Sequence, residues 1–242
     1  MSSNWPQGVG RRILEDVDST NAFALRSNEG GPAWIMARRQ TAARGRRGRA
    51  WLMPAGNFAA SYVFRPEGSA SEAALYSFVA ALALRDALDD MTDHPLALKW
   101  PNDVLLSGGK VAGILLESVG TGDGLDRLVV GFGVNVAAAP SRSEVEPETV
   151  PPVCLGRSID PEDLLDRLAP AFAVRDAAFR AHGFRPLRDE WLSHAARLGE
   201  EIVARTGGQT RAGRFETVDD TGALVLATAS GRSAISAADI HF

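Results

Sequence analysis

The residues from Arg38 to Trp51 read RRQTAARGRRGRAW, and six of the first twelve positions are arginine. Gly45 and Gly48 interrupt the run and let the backbone turn sharply or approach a ligand closely. Guanidinium groups match the oxygen atoms of phosphates and carboxylates. The stretch therefore predicts a mobile basic loop that binds an anion. An arginine-rich run alone is also typical of a solvated surface loop or of non-specific nucleic-acid binding.

The rest of the chain favours a small anionic ligand. Its 242 residues are 45% hydrophobic and carry a net charge of −4, as expected of a globular protein whose surface is not built to grip DNA. Cys154 is the single cysteine, which excludes an internal disulfide, and the four histidines are too scattered for a zinc motif. No apolar run reaches membrane-spanning length and residues 1–10 lack the layout of a secretory signal, so a cytoplasmic location is predicted.

Predicted strands lie on both sides of this loop, and the start of a predicted helix precedes it. Alternating or continuous apolar residues predict strands at Arg11–Val17, Ala33–Ala37 and Asn57–Phe64. The polar run Asp18-Ser19-Thr20-Asn21 predicts the start of a helix, in which either Ser19 or Thr20 caps the free N–H groups and the other faces a ligand.

The middle of the chain predicts helices around a hairpin. A helix is expected from Ser71, and the sequence from Leu96 to Leu106 predicts two strands separated by Pro101, followed by strands at Lys110–Glu117 and Leu128–Val136. Gly131 and Gly133 in the last strand indicate a bulge or a place where a ligand presses on the backbone. Later helices are expected from the Asp160-Pro161 cap to about Ala181, with a kink at Pro170, and over Pro186–Ala196.

Short strands separated by glycine turns predict a small C-terminal barrel. They lie at Glu201–Ala204, Gly213–Val218, Ala223–Leu226 and Ser233–Ile235. We therefore divide the chain into a catalytic domain over residues 1–197, of which 1–10 are a flexible tail, and a barrel over residues 198–242.

Several motifs occur here in one order, and together the chain resembles the biotin protein ligases. The motifs are Asp18–Asn21, Gln40–Trp51, Lys99–Asp103 (KWPND), Lys110–Ile114 (KVAGI) and Gly131–Asn135 (GFGVN). The resemblance implies an α+β fold: a mixed-sheet catalytic domain like that of class II aminoacyl-tRNA synthetases, followed by an SH3-like β-barrel. Bifunctional members carry a DNA-binding winged helix before the position of Arg11, where only ten residues stand, so the monofunctional type without DNA binding is expected.

The resemblance also implies a two-step activity. Biotin and ATP, with Mg²⁺, give biotinyl-5′-AMP and pyrophosphate, and a lysine of a biotin carboxyl carrier domain then receives the biotinyl group. The expected partner is thus the carrier domain of a biotin-dependent carboxylase, with no membrane partner, and a homodimer is left open. The arginine loop fits this chemistry, because joining a carboxylate to a phosphate requires fixed cations, and closure of the loop would protect a labile anhydride from water.

The resemblance assigns a role to each motif residue. Lys110 and Arg46 are the expected catalytic groups. Biotin binding is expected from Ser19, Thr20, Gln40, Arg44, Arg46, Lys110 and Gly113. Binding of ATP or the adenylate is expected from Arg46, Arg47, Arg49, Trp51, Asn102, Lys110 and Asn135, and Asp103 is a tentative magnesium ligand.

Plainer interpretations stand beside three of these assignments. An isolated tryptophan such as Trp51 is more often a core residue, Lys110 after a glycine turn fits a surface lysine, and residues 101–103 fit an ordinary turn. Ala43 also departs from the glycine usual in the family, and it would cost about 1 kcal/mol if the position needs a positive φ.

Three rival functions remain at this stage. A lipoate or octanoate ligase or transferase shares the implied fold and is the second choice. A nucleic-acid-binding module is disfavoured by the acidic net charge, and a non-catalytic biotin-binding protein would release no pyrophosphate from ATP.

Overall fold

The computed structural model describes residues 4–27, 29–121, 124–147, 149–156, 159–206, 209–236 and 238–241. Two β-sheets organise this part of the chain, one of seven strands and one of five. The strands of the larger sheet are β1 Gly10–Val17, β2 Ala33–Gln40, β3 Phe58–Phe64, β4 Leu96–Lys99, β5 Asp103–Leu106, β6 Gly109–Thr121 and β7 Gly124–Val134. The strands predicted for this region are confirmed, with differences at their ends.

The larger sheet is mixed and has the strand order β1-β2-β3-β7-β6-β5-β4. Strands β1 and β2 pair in parallel, with Ile13 opposite Met36, and every other neighbouring pair is antiparallel. A parallel pair needs a crossover connection, and helix α1 (Thr20–Arg26) lies in it. This crossover places the start of α1 and the end of β2 side by side at one edge of the sheet.

The helix expected from Ser71 is in fact two helices, α2 (Ala70–Ala74) and α3 (Tyr76–Asp89), which meet at Leu75. The predicted start was wrong because Ser69, and not Ser71, is the N-cap. The Ser69 hydroxyl accepts from the Glu72 N–H, and the Glu72 carboxylate accepts from the Ser69 N–H, which completes a capping box. Ten residues of α3 are buried, so this helix forms the centre of the core.

Helix α4 (Pro161–His182) begins with the Asp160-Pro161 cap as predicted and continues through Pro170. Helix α5 (Phe184–Ser193) follows after Gly183. Phe172 of α4 packs edge-on against Trp34 of β2, with ring centroids 5.7 Å apart. The helices thus cover one face of the larger sheet through an aromatic core.

The C-terminal sheet contains β8 Glu201–Thr206, β9 Gln209–Val218, β10 Leu224–Thr228, β11 Gly231–Ile235 and β12 Asp239–His241. Its order is β11-β10-β9-β8-β12, and all of its neighbouring pairs are antiparallel. The sequence did not predict β12, which is three residues long. The α+β class with a mixed sheet and a small C-terminal β unit is confirmed, and the SH3-like form of that unit stays a prediction.

The two sheets are joined by direct contacts. The Trp100 indole Nε1 donates to the Gly222 carbonyl oxygen at 3.0 Å.

At the other end of the chain, the Trp5 indole donates to the Val9 carbonyl oxygen at 2.8 Å. Residues 1–3 of the expected flexible tail lie outside the described residues, and the division at residues 197 and 198 stays a prediction. None of the helices in the described ranges is long and apolar enough to cross a membrane.

Candidate functional site: a cavity under the arginine loop

A cavity of about 400 Å³ lies between the two sheets, beneath the loop of residues 41–51, which we call the arginine loop. Twelve of the thirteen residues predicted for the site line it: Ser19, Thr20, Gln40, Arg44, Arg46, Arg49, Trp51, Asn102, Asp103, Lys110, Gly113 and Asn135. The thirteenth, Arg47, lies outside the lining and is exposed. Motifs from five separate segments are therefore brought together around one space.

The arginine loop is folded as a short hairpin over this cavity. Arg44 and Ala50 form an antiparallel bridge, and the Trp51 N–H donates to the Ala43 carbonyl oxygen at 3.0 Å. At the tip, Arg47 has a φ of 57° and Gly48 a φ of 73°. Ala43 is not among the described residues with a positive φ, so the strain considered for alanine at this position does not arise.

Carboxylates from distant parts of the chain hold the loop arginines. Arg47 and Arg49 both contact Asp239 Oδ2 of β12, at 2.7 and 2.8 Å, and Arg49 also lies 3.1 Å from Glu146. Sequence reasoning missed Asp239 and Glu146, because single acidic residues carry no local signal. The mobility expected of the loop stays a prediction, and these ion pairs must break when the loop opens.

Burial and neighbouring charges shift the pKa values of Arg46 and Asp239. Removal from water lowers the pKa of Arg46, although Asp239 and Asp103 oppose that effect. The Arg46 side chain donates to the Ala238 carbonyl oxygen at 3.3 Å and points into the cavity wall. Burial works to raise the pKa of Asp239, but a hydrogen bond from Arg49 and the charges of Arg49, Arg47 and Arg46 outweigh it, so the pKa lies below its ordinary value.

Hydroxyl and amide groups form the opposite end of the cavity. Ser19 is the helix cap, since its Oγ accepts from the Ala22 N–H at 3.4 Å. Thr20 donates its backbone N–H to Gln40 Oε1 at 2.7 Å, and its hydroxyl oxygen lies 2.7 Å from that of Ser61. The structure thus resolves the alternative that the sequence left open: Ser19 caps the helix, and Thr20 belongs to a buried polar network.

Lys110 stands at the start of β6 in a rigid setting. Its ammonium nitrogen lies 2.7 Å from Asp103 Oδ1 and 5.6 Å from the centroid of the Trp51 ring. Asp103 also lies 3.8 Å from the buried Lys99, whose pKa is lowered by burial. The Lys110 side chain is 27% exposed and lines the cavity, which disfavours the interpretation as a free surface lysine.

Trp51 packs directly on the strand backbones. A Cβ atom at Gly133 would lie 2.6 Å from Trp51 Cε2, and one at Gly113 would lie 3.3 Å from Trp51 Cζ3. At Gly131 the close neighbour is the side chain of Asn21. The groups that lie against Gly131 and Gly133 are thus side chains of this chain, Asn21 and Trp51, at positions where a bulge or a ligand was expected; contact of these glycines with a ligand stays a prediction.

The two predicted asparagines are tied to backbone carbonyl groups. Asn102 Nδ2 donates to the Ile114 oxygen at 2.6 Å, and Asn135 Nδ2 donates to the Val153 oxygen at 3.0 Å. Asn57, which the sequence did not single out, accepts the N–H groups of residues 136, 137 and 138 on one oxygen. These contacts fix the cavity wall that follows β7.

The residues present do not form a multidentate metal site. Within the described ranges no three histidine, cysteine or acidic side chains lie close enough together to hold an ion. Asp103 is engaged by Lys110 and Lys99, which compete with a cation for its oxygens. The magnesium role of Asp103 therefore stays a prediction that the ion pairs oppose.

Comparison with known proteins identifies the family. Residues 11–135 match the Biotin/lipoate A/B protein ligase family, and residues 198–242 match the Biotin protein ligase C terminal domain. Over 239 residues the chain is 55% identical to the Biotin--[acetyl-CoA-carboxylase] ligase of Paracoccus denitrificans, covering 95% of this chain and 99% of that protein. The chain belongs to the biotin protein ligase family.

More distant relatives also match most of this chain. The Bifunctional ligase/repressor BirA of Escherichia coli is 31% identical, over 88% of this chain and 68% of that protein. Among solved structures, the biotin protein ligase from Aquifex aeolicus in complex with biotin and ATP superimposes with a TM-score of 0.82 at 26% identity, covering 96% of this chain and 97% of that one. The cavity described above is therefore the candidate active site of a biotin protein ligase.

Proposed function

We propose that this protein activates biotin with ATP and transfers it to a lysine of a biotin carboxyl carrier domain. A biotin carboxylate oxygen attacks the α-phosphorus of ATP, and pyrophosphate leaves. The lysine amine of the carrier then attacks the carbonyl carbon of biotinyl-5′-AMP, AMP leaves, and the amine loses a proton as the amide forms. Family membership at 55% identity to a biotin ligase supports this reaction.

The observation that carries the proposal is that four cationic side chains line one cavity. Lys110, Arg44, Arg46 and Arg49 line the same 400 Å³ space, in a protein whose net charge is −4. Two anions repel each other as they join, and prearranged cations offset that repulsion. An enclosed cavity strengthens these interactions and keeps water from the mixed anhydride.

The residue roles follow the cavity from end to end. Ser19, Thr20, Gln40, Arg44 and Gly113 bind the biotin head, at the end lined by hydroxyl and amide groups. Lys110 acts on the carboxylate and the α-phosphate as a point charge. Arg46 retains the intermediate by its carbonyl and phosphate oxygens.

The nucleotide occupies the other end. Trp51 stacks on the adenine, a contact worth about 1–3 kcal/mol for a base on an aromatic ring, while Asn102 and Asn135 shape the adenine and phosphate site. Arg47 and Arg49 neutralise phosphate charge when Asp239 releases them. Mg²⁺ enters bound to ATP and balances the charge of the phosphates.

The proposed partner is the carrier domain of a biotin-dependent carboxylase, met in the cytoplasm. The name of the Paracoccus denitrificans relative supports this partner, since it specifies an acetyl-CoA carboxylase. The arginine loop must open for the carrier lysine to reach the intermediate, so transfer depends on the loop contacts described above.

A lipoate or octanoate substrate is the second candidate, because the matched family includes lipoate ligases. Pyrophosphate release measured with ATP and each acid in turn separates the two. Biotin should support release at least about a hundredfold faster than lipoate or octanoate, since a site built to pair a polar head rejects a chain that lacks it. Equal rates with lipoate would assign the chain to the lipoate branch, and release with no acid would mark plain ATP hydrolysis.

A further inference from the structure

A chain of polar side chains runs from the arginine loop into the sheet. Arg44 Nη2 donates to Glu117 Oε1 at 2.8 Å, and the other oxygen of Glu117 accepts from Asn21 Nδ2 at 2.9 Å. Asn21 Oδ1 lies 2.6 Å from the Ser61 hydroxyl, which lies 2.7 Å from the Thr20 hydroxyl. Asn21, Ser61 and Thr20 are at most 4% exposed. One carboxylate of β6 thus joins the loop to the polar end of the cavity.

The acceptors around Asn21 fix its orientation. Its amide nitrogen faces two acceptors, Glu117 Oε2 and the Leu115 carbonyl oxygen, the latter at 3.2 Å. The amide oxygen must therefore face Ser61. Asn21 is also wedged against the backbone of Gly131, where no Cβ fits. An ionised carboxylate can only accept hydrogen bonds, so Glu117 sets the direction of this amide.

The hydroxyl groups of Ser61 and Thr20 continue this chain of contacts toward the cavity. Ser61 has one hydroxyl proton to share between Asn21 Oδ1, at 2.6 Å, and the Thr20 hydroxyl oxygen, at 2.7 Å. The Thr20 hydroxyl donates to Gln40 Oε1 at 3.2 Å, and the same oxygen accepts from the Thr20 backbone N–H. Thr20 lines the cavity, so the position of its hydroxyl there depends on Asn21 and Ser61.

We propose that Glu117 is a positioning residue that couples closure of the arginine loop to the position of Thr20 in the biotin-head site. One of its oxygens holds Arg44 and the loop, and the other holds Thr20 in place through Asn21 and Ser61. The coupling rests on the proposed function for its ligand. The loop half of the proposal involves only this chain and stands apart from the ligand.

The decisive variant is Glu117→Gln. A glutamine offers one acceptor oxygen and one donor group to two donors, Arg44 and Asn21, so it satisfies at most one of them. Glu67→Gln is the matched control, because the Glu67 side chain is largely exposed and does not line the cavity. Ser61→Ala breaks only the arm that leads to Thr20. Circular dichroism melting curves confirm that each variant is folded.

One measurement tests the contact of Glu117 with the arginine loop, and a second tests its path through Asn21 and Ser61 to Thr20. Without ligand, trypsin should cut the bond between Arg46 and Arg47 about tenfold faster in Glu117→Gln, and at the wild-type rate in Ser61→Ala and Glu67→Gln. By titration calorimetry, biotin should bind about tenfold more weakly to both Glu117→Gln and Ser61→Ala, the scale of one hydrogen bond involving a charged or buried group. In an Arg44→Gln background, Glu117→Gln should add nothing to loop cleavage.

Each contrary result would overturn a specific part of the proposal. Cleavage and biotin affinity of Glu117→Gln within twofold of wild type would remove Glu117 from the site. Equal acceleration of cleavage in Ser61→Ala would show general loosening in place of positioning. If the wild-type protein binds no biotin, the proposed function fails, and cleavage in Glu117→Gln still decides whether this carboxylate holds the loop.

Discussion

Replacing Lys110 with alanine tests whether a single fixed cation drives adenylation. Lys110 is held at the start of a strand by Asp103, 2.7 Å from its nitrogen, whereas the arginines sit on a loop that must move. A cation on a rigid element can be matched to the transition state. Removing a prearranged charge stabiliser of this kind costs about 3–4 kcal/mol, or about 10²–10³ in rate.

The fold should tolerate the change. Removing one partner of a buried ion pair costs about 3–5 kcal/mol when the other charge is left alone. Here Lys99 remains 3.8 Å from Asp103, and the vacated space opens to the cavity. We therefore expect a loss of only about 1–2 kcal/mol in the free energy of unfolding, below the range for leaving a buried charge alone.

The assay measures single-turnover release of pyrophosphate. Biotin binding and transfer of biotin from supplied biotinyl-5′-AMP are measured separately on the same variant. Adenylation by Lys110→Ala should slow by the factor above, biotin should still bind, and transfer should be impaired less. Arg12→Ala removes a cation from β1 away from the cavity and serves as the control. Adenylation at nearly the wild-type rate would refute the reasoning and turn the search for the catalytic cation to the loop arginines.

Three further predictions follow from the same contacts. Asp239→Asn should weaken two charge-assisted contacts with Arg47 and Arg49, each worth about 1 kcal/mol at this exposure, and should speed ligand-free cleavage of the loop about tenfold. The folded-state pKa of Asp239 lies below its ordinary 3.8, so the stabilising contribution of these contacts is complete above pH 3.8 and is lost as the pH falls through the folded-state pKa. Cleavage of the wild-type loop by an acid-active protease measures that loss. Arg46→Gly should leave the melting temperature within a few degrees of wild type but release biotinyl-5′-AMP, and labelling of lysines on a bystander protein measures that leak; strict selectivity for one carrier lysine would mean that Arg46 does not retain the intermediate. Gly133→Ala should displace Trp51, because its Cβ would lie 2.6 Å from the ring, and should weaken ATP binding about tenfold or more on the scale of one base stack; unchanged affinity with unchanged Trp51 fluorescence would contradict the close packing.

The sequence predicted the strands and the cavity lining because those features depend on local patterns. Arginines between glycines, a cap before an apolar run and glycine pairs in a strand each reflect a demand that one short segment satisfies. One local signal was missed: the helix was expected to start at Ser71, although the capping box of Ser69 and Glu72 places the N-cap two residues earlier.

The carboxylates of the site could not be predicted in this way. Glu117, Glu146 and Asp239 lie 73, 97 and 190 residues beyond the arginines that they hold, Arg44 in the first case and Arg49 in the other two. Each has the local pattern of an ordinary surface acid. Asp239 also belongs to β12, whose three residues gain their strand conformation by pairing with β8 and carry too few positions for a periodic signal.

Transfer of biotin to a carrier domain tests the central claim most directly. The protein is incubated with biotin, MgATP and the carrier domain of an acetyl-CoA carboxylase, and both proteins are then measured by intact-mass and peptide mass spectrometry. We predict a gain of one biotinyl group on a single carrier lysine, with none when ATP is omitted and none when lipoate replaces biotin. The enzyme has only two lysines of its own, Lys99 and Lys110, so label on the enzyme is readily told apart. A carrier that stays unmodified in the complete mixture, or that gains a lipoyl group instead, would contradict the proposed function.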